Sequence, residues 1–229
     1  MPSKAAANGR PRYDFHAHTY LTDGSVSATD MWVASEALGH RALAITDHVA
    51  LEDPEPILKR LHQEAAAWEG TELTTLVGIE ITKVPPRRIA EVARRARKLG
   101  AEIIIVHGET IYEVVPEGTN HAAIESGEVD ILAHPGLLAE KDAELAAANG
   151  TLLELSARRN HSLTNGHVAR LALQAGATVV VDSDAHDPEQ LISRAVAEKI
   201  ATGAGLRAAD VARAVEEAPL RLLKKLNKA

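Results

Sequence analysis

Nine side chains able to hold a metal ion fall at or just after the ends of apolar runs in this sequence: His16, His18, Asp23, His48, Glu80, His107, His134, Asp184 and His186. The first two form His16-Ala17-His18, and alternate residues of an extended segment share a face, so both imidazoles can meet one ion. Asp184-Ala185-His186 repeats the spacing with a carboxylate in place of one imidazole. The chain contains no cysteine, which removes thiolate ligation, disulfides and cysteine nucleophiles and leaves imidazole and carboxylate as the side-chain ligands. A multinuclear centre of two or three divalent transition metal ions is expected, and this ligand chemistry accepts zinc, manganese or iron alike.

The elements that must position these groups follow from the hydrophobic pattern. Strand-like runs end at His16, Thr46, Ile79, Val106, Ala133, Leu155 and Asp182, each rich in Val, Ile or Leu and each followed by polar residues. Helical patterns lie between them: Ala28 to Leu38 after the capping candidate Ser27, Pro86 to Leu99 closed by Gly100, and His167 to Ala175 closed by Gly176. Short apolar strands alternating with helices predict an α/β protein with a parallel sheet, and seven such units predict a barrel. Chemistry in α/β barrels gathers at the C-terminal ends of the strands, where the nine candidates fall.

With 229 residues and 45% hydrophobic content, one enzyme domain over residues 13–229 is expected, preceded by a disordered tail at residues 1–12. After Gly203-Ala204-Gly205 come Arg207 to Glu217 and a short amphipathic segment from Pro219, expected to pack on the barrel. Neither a secretory leader nor a membrane span is indicated, so a cytoplasmic protein is expected. A net charge of -7 and 3% aromatic residues argue against long nucleic acid as a partner, because phosphate tracking needs a basic surface and base stacking needs aromatic platforms.

Four ordered motifs resemble those of the polymerase and histidinol phosphatase (PHP) superfamily. They are His16-Ala17-His18-Thr19 with Asp23-Gly24, then Thr46-Asp47-His48, then Gly78-Ile79-Glu80 with Val106-His107, and finally Ala133-His134-Pro135 with Ser183-Asp184-Ala185-His186. The resemblance implies a distorted (β/α)7 barrel with up to three ions. It implies one ion on His16, His18, Glu80 and Asp184, a second sharing Glu80 and adding His107 and His134, and a third on His48 and His186 with Asp23.

Three divalent ions bring six positive charges against three from Asp23, Glu80 and Asp184, so such a centre favours an anionic substrate. Metals that generate a bridging hydroxide and stabilise both attacking and leaving oxygens point to phosphate ester hydrolysis. In Leu155-Ser156-Ala157-Arg158-Arg159-Asn160-His161, Arg158 or Arg159 is a candidate phosphate clamp or a solvated loop residue. His161 is a candidate proton donor or a polar residue at a helix start. Asp47 either orients a ligand imidazole or caps a loop. The candidate catalytic set is therefore Glu80, Asp184, Arg158, Arg159 and His161. The expected activity is a metal-dependent phosphoesterase acting on a small phosphorylated metabolite. The alternatives are a nucleotide phosphatase or nuclease, and a non-catalytic scaffold like the barrel subunit of RNase P, which shares the general fold but lacks the metal motifs.

Overall fold

The computed structural model describes residues 10–228. Its strands are β1 (Arg12–Asp14), β2 (His40–Ile45), β3 (His48–Val49), β4 (Thr74–Ile81), β5 (Ile103–His107), β6 (Ile131–Ala133), β7 (Leu152–Ser156) and β8 (Val179–Asp182). The helices between and after them are α1 (Ala28–Ala37), α2 (Glu55–Ala65), α3 (Pro86–Lys98), α4 (Thr119–Glu125), α5 (Glu140–Asn149), α6 (Asn165–Ala175), α7 (Arg194–Gly203), α8 (Ala208–Ala212) and α9 (Ala218–Lys225). Seven strands run parallel in the order β1, β2, β4, β5, β6, β7, β8 and form a nearly closed, distorted (β/α)7 barrel. The β-branched runs of β5 and β8 suit strands covered on both faces. The expected N-cap is present: Ser27 accepts from the Asp30 N–H, and Asp30 returns the bond to Ser27.

The two-residue pleat sorts the strands into two cores. Leu76, Ile103, Ile105, Ile131, Ala133 and Val180 fill the barrel interior, while their neighbours Val77, Ile79, Ile104, Val106, Leu132 and Val181 pack outward under the helices. Continuing the inner parity toward the C-terminal end brings Glu80 on β4, His107 on β5 and Glu154 on β7 inward. The barrel is therefore apolar below and ionisable above. Gly78 shares this inner parity, and a Cβ there would lie 2.4 Å from both Ile103 Cγ2 and its carbonyl oxygen, so β4 and β5 approach closely only because it has none.

Beneath the interior, Ala218, Leu222 and Leu223 of α9 join the same core, and Lys225 and Lys228 pair with Asp130 and Glu102 just before β6 and β5. The terminal segment thus plugs the barrel floor. It continues from α8 through a π-helical turn, Arg213–Glu217, beside Pro219, which has no N–H to donate along the helix.

Closure between β8 and β1 relies on side chains. The backbones meet at the Ala17–Ala185 bridge, where the His18 N–H donates to the Ala185 oxygen at 2.8 Å. Below it the Phe15 N–H donates to Asp182 Oδ1 at 2.8 Å and the Ser183 N–H to Asp14 Oδ1 at 3.0 Å. Each carboxylate satisfies a buried donor of the opposite strand that has no ladder partner. Asp14 also takes the buried Arg12 guanidinium at 2.9 Å. Burial opposes the Asp14 charge, but Arg12 and His40 hold its carboxyl below the usual range; burial and the nearby Asp14 and Glu154 push Asp182 well up.

Residues 1–9 of the expected tail lie outside the described residues. Arg12, expected within that tail, opens β1 and is buried, because its pairing with Asp14 belongs to the seam. Replacing Asp14 by Ala would strand both the Arg12 guanidinium and the Ser183 N–H. Asp14→Ala is predicted to lower unfolding free energy by about 3–5 kcal/mol, read from urea denaturation; a loss below about 1 kcal/mol, the size of an exposed pair, would remove the seam role.

Candidate metal centre

Each donor reaches the upper mouth of the barrel by an identifiable local device. The His16-Ala17-His18 segment is pinned on both sides, since the Thr46 N–H donates to the Ala17 oxygen and the His18 N–H to that of Ala185. Its alternation turns both imidazoles inward with their Nε2 atoms 3.0 Å apart. The short β3 was not anticipated. It pairs His48 with Glu80 in register, which sets the imidazole beside the β4 carboxylate. His134 and Asp184 take positive φ values of 28° and 52°, and Lys83 takes 56°. All three line the same cavity, so the left-handed backbone that costs these residues energy is concentrated at the site.

Glu80 lies at the centre. Its Oε2 stands 3.4 Å from His16 Nε2, 3.5 Å from His18 Nε2 and 2.8 Å from His48 Nδ1, and its Oε1 stands 3.6 Å from His134 Nε2. Both oxygens are buried, yet neither accepts a hydrogen bond of acceptable geometry. Asp184 Oδ1 is 3.4 Å from His18 Nε2 and 3.8 Å from His16 Nε2, and its Oδ2 is 3.7 Å from His134 Nε2. Asp23 Oδ2 meets His186 Nε2 at 3.1 Å and His48 Nε2 at 3.4 Å. Four groups of donor atoms result: His16, His18 and Asp184; His18, Asp23, His48 and His186; His107, His134 and His161; and His16, His134 and Glu154. Imidazole nitrogens and carboxylate oxygens converging across a buried space suit divalent cations, so the donor set fits the expected metals.

The ionisation of these groups is uneven. Burial, with the charges of His48 and His16, pushes His18 down to about 3. Burial likewise takes His107 down to about 4 against the pull of Glu80. Burial opposes charge on His48 too, but Glu80 and Asp23 raise it to about 10. His16 is raised well above the usual imidazole value because Glu154, Glu80 and Asp184 outweigh its burial; His134 is raised by Glu80 and Glu154 against its own. Burial disfavours the charged forms of Glu80 and Asp184, yet the surrounding imidazoles hold both well below the carboxylate range.

The cavity above the cluster measures about 310 Å³, with Thr82, Lys83, Glu113, Arg158 and His161 among its walls. The two arginines separate. Arg158 lies in the wall with Nη1 3.4 Å from Asp184 Oδ1 and donating to His186 Nε2 at 3.0 Å, whereas Arg159 is exposed and absent from the lining. His161 is buried, its ring centroid 4.0 Å from that of His134 and its Nδ1 3.0 Å from Asp184 Oδ2. Asp47 accepts from the Thr19 N–H and from the Thr19 and Thr22 hydroxyls, which makes it a loop cap. Outside the cluster, His40, His62, His121 and His167 bond to Ser35, Gly100, Asp142 and Leu138 respectively, in packing or surface roles.

Glu154, Glu113 and Lys83 escaped the sequence reading. Glu154 carried a signal, being the one charged residue inside the apolar run Leu152-Leu153-Glu154-Leu155. Glu113 and Lys83 sit on loops with no comparable mark. They pair at 3.4 Å, and Glu113 reaches 3.5 Å from His161 Nε2 and 3.7 Å from His107 Nε2.

A parallel (β/α)7 barrel with a buried histidine and carboxylate cluster at its C-terminal mouth defines the class of protein. The family description PHP domain matches residues 14–203, and the chain belongs to that family. An uncharacterized protein of Methanocaldococcus jannaschii is 38% identical over 217 residues, covering 94% of this chain and all of that one. Ribonuclease P protein component 3 of Methanosarcina barkeri is 29% identical over 157 residues, 66% of this chain and 59% of its own length. Among solved structures, a chain of an archaeal ribonuclease P with mature tRNA aligns with a TM-score of 0.65 at 16% identity, covering 93% of this chain and 89% of that one. Histidinol phosphate phosphatase from Lactococcus lactis, solved with zinc, L-histidinol and phosphate, aligns at 0.57 with 12% identity, covering 95% and 94%. At those identities the structural likeness establishes the shared fold. No helix among the described residues is long and apolar enough to cross a membrane.

Imidazoles must shed protons to bind a cation, and His16, His48 and His134 carry raised values. His48, raised to about 10, holds its proton at neutral pH and the other two are shifted the same way, so zinc uptake is predicted to release protons and apparent affinity to climb as pH rises toward about 10. Calorimetry at pH 7 in buffers of differing ionisation enthalpy measures the release; a binding enthalpy independent of the buffer would contradict it.

Proposed function

We propose that this chain is a metal-dependent phosphoesterase that hydrolyses an ester of a small phosphorylated metabolite. The observation that carries this reading is Glu80: a buried carboxylate with neither oxygen in a hydrogen bond, ringed by four imidazoles from three separate segments. Two or three divalent ions would be held by His16, His18, Glu80 and Asp184, by Glu80, His107 and His134, and by Asp23, His48 and His186. When bound, such ions supply Lewis acidity to phosphoryl oxygens and activate water.

The protein's own groups complete the chemistry. Arg158 stands in the wall beside Asp184 and His186, where its guanidinium can orient a non-bridging phosphate oxygen. Buried His161 gives its Nδ1 side to Asp184 and turns Nε2 toward the cavity and Glu113. That Nε2 is the ring atom placed to exchange a proton with a leaving alcohol. The cavity, of about 310 Å³, suits a small substrate. The relatives named ribonuclease P protein component 3 favour a second reading, a non-catalytic scaffold, but it gives no role to nine converging donors.

Elemental analysis after metal reconstitution, beside turnover of p-nitrophenyl phosphate and its bis ester, decides between the two. Two or three ions per chain with hydrolysis of either ester is the expected result; less than one ion and no turnover would favour the scaffold. Arg158→Ala is predicted to reduce kcat/KM from roughly tenfold to over a hundredfold, about 1.5–3 kcal/mol, with metal content unchanged and Arg159→Ala nearly silent. Wild-type kinetics in both variants would move phosphate binding to the metals and backbone amides.

A further inference from the structure

Glu154 projects from β7 on the inner face, fully buried, among none of the nine expected ligands. Its Oε2 accepts from His16 Nδ1 at 2.7 Å. Its other oxygen, Oε1, is buried without a partner, and so is Nδ1 of His134. A Glu154 oxygen, a ring nitrogen of His16 and a ring nitrogen of His134 all lie within 4.8 Å of one another. The two imidazoles are also nearly parallel, with centroids 5.8 Å apart and planes 26° apart. One carboxylate therefore sits behind two imidazoles whose Nε2 atoms both face Glu80 and Asp184.

We propose that Glu154 is a positioning residue shared by His16 and His134, holding the Nδ1–H of each so that both Nε2 lone pairs point into the metal centre. This rests on the metal-dependent reading above. An imidazole that donates Nδ1–H to a carboxylate is locked in one tautomer and orientation and becomes the stronger ligand through Nε2. Because His16 and His134 belong to different expected ion sites, a single buried side chain would set the ligand field of two ions. Glu154 Oε1 and His134 Nδ1 are not bonded to each other in this structure, so the His134 half of the proposal requires these two free atoms to close on one another when the centre is loaded.

The test uses the full chain with Glu154→Gln, which keeps an acceptor oxygen but loses the charge, and Glu154→Leu, which loses both. Zinc affinity is read by competition with a chromogenic chelator, and the tautomers of His16 and His134 by nitrogen-15 NMR. Glu154→Gln is expected to weaken zinc binding about tenfold to a hundredfold at unchanged stoichiometry, and Glu154→Leu to weaken it further while moving the Nδ1–H signals of both rings. Folded variants with wild-type zinc affinity would overturn the proposal, as would a change confined to His16. Loss of one whole ion from Glu154→Gln, with the remaining affinity intact, would make Glu154 a ligand and overturn it as well. Should the Leu variant fail to fold, the Gln variant decides alone. Wild-type zinc binding without hydrolysis of either ester would sink the phosphoesterase reading and leave the Glu154 comparison standing.

Discussion

Taking carboxylates out of water among imidazoles is the constraint around which this barrel is arranged. Glu80 and Asp184 are buried with His16, His18 and His134 around them, and each buried ion costs several kcal/mol before its partners compensate. That cost has to be met elsewhere, and the pleat provides the means. The same alternation that points Glu80 and His107 inward at the top packs Leu76, Ile103 and Ile105 inward below, and α9 seals the floor. The ionisable cluster is thus the upper layer of a structure whose lower layers and outer shell are apolar.

The seam between β8 and β1 obeys the same logic on a smaller scale. Adjacent strands that do not form a full ladder leave buried donors, and Asp14 and Asp182 answer them with carboxylates. Both lie only two residues from a metal-ligand candidate, His16 or Asp184, so the stitches that close the barrel also set the height of the donors above them. Closure and site geometry are one problem here, solved by side chains where backbone pairing runs out.

Polarity at the mouth is divided. Lys83 and Arg158 bring positive charge to the wall, while Glu113 projects a carboxylate between Lys83, His107 and His161. Electrostatic attraction within a low-dielectric cavity is strong, so an entering anion would meet Lys83 and Arg158 and have to accommodate the carboxylates of Glu52 and Glu113 besides those of the donor cluster. Loops after β3, β4, β5 and β7 carry these wall groups, in keeping with the separation of scaffold and chemistry in such barrels.

Much of this was legible from residue order alone. The alternation of apolar runs and helical patterns specified a parallel barrel, because burial of both strand faces leaves an unbroken apolar signature, and donors at strand ends had to converge once the strands were parallel. His16-Ala17-His18 carried its own geometry, since a two-residue period is local. Other features depend on which segments become neighbours. β3 is two residues long and has no pattern of its own; it exists because Glu80 and Ile81 offer it a pairing edge. Arg158 and Arg159 are adjacent and chemically identical, and only the direction of the loop after β7 sends one into the cavity and the other to solvent. His161 looked like a helix-start residue until the fold set it against His134. Glu154 gains its meaning from His16, 138 residues away, and Glu113 from Lys83 and His161 on other loops, separations across which sequence carries no geometry and only the closed barrel supplies it.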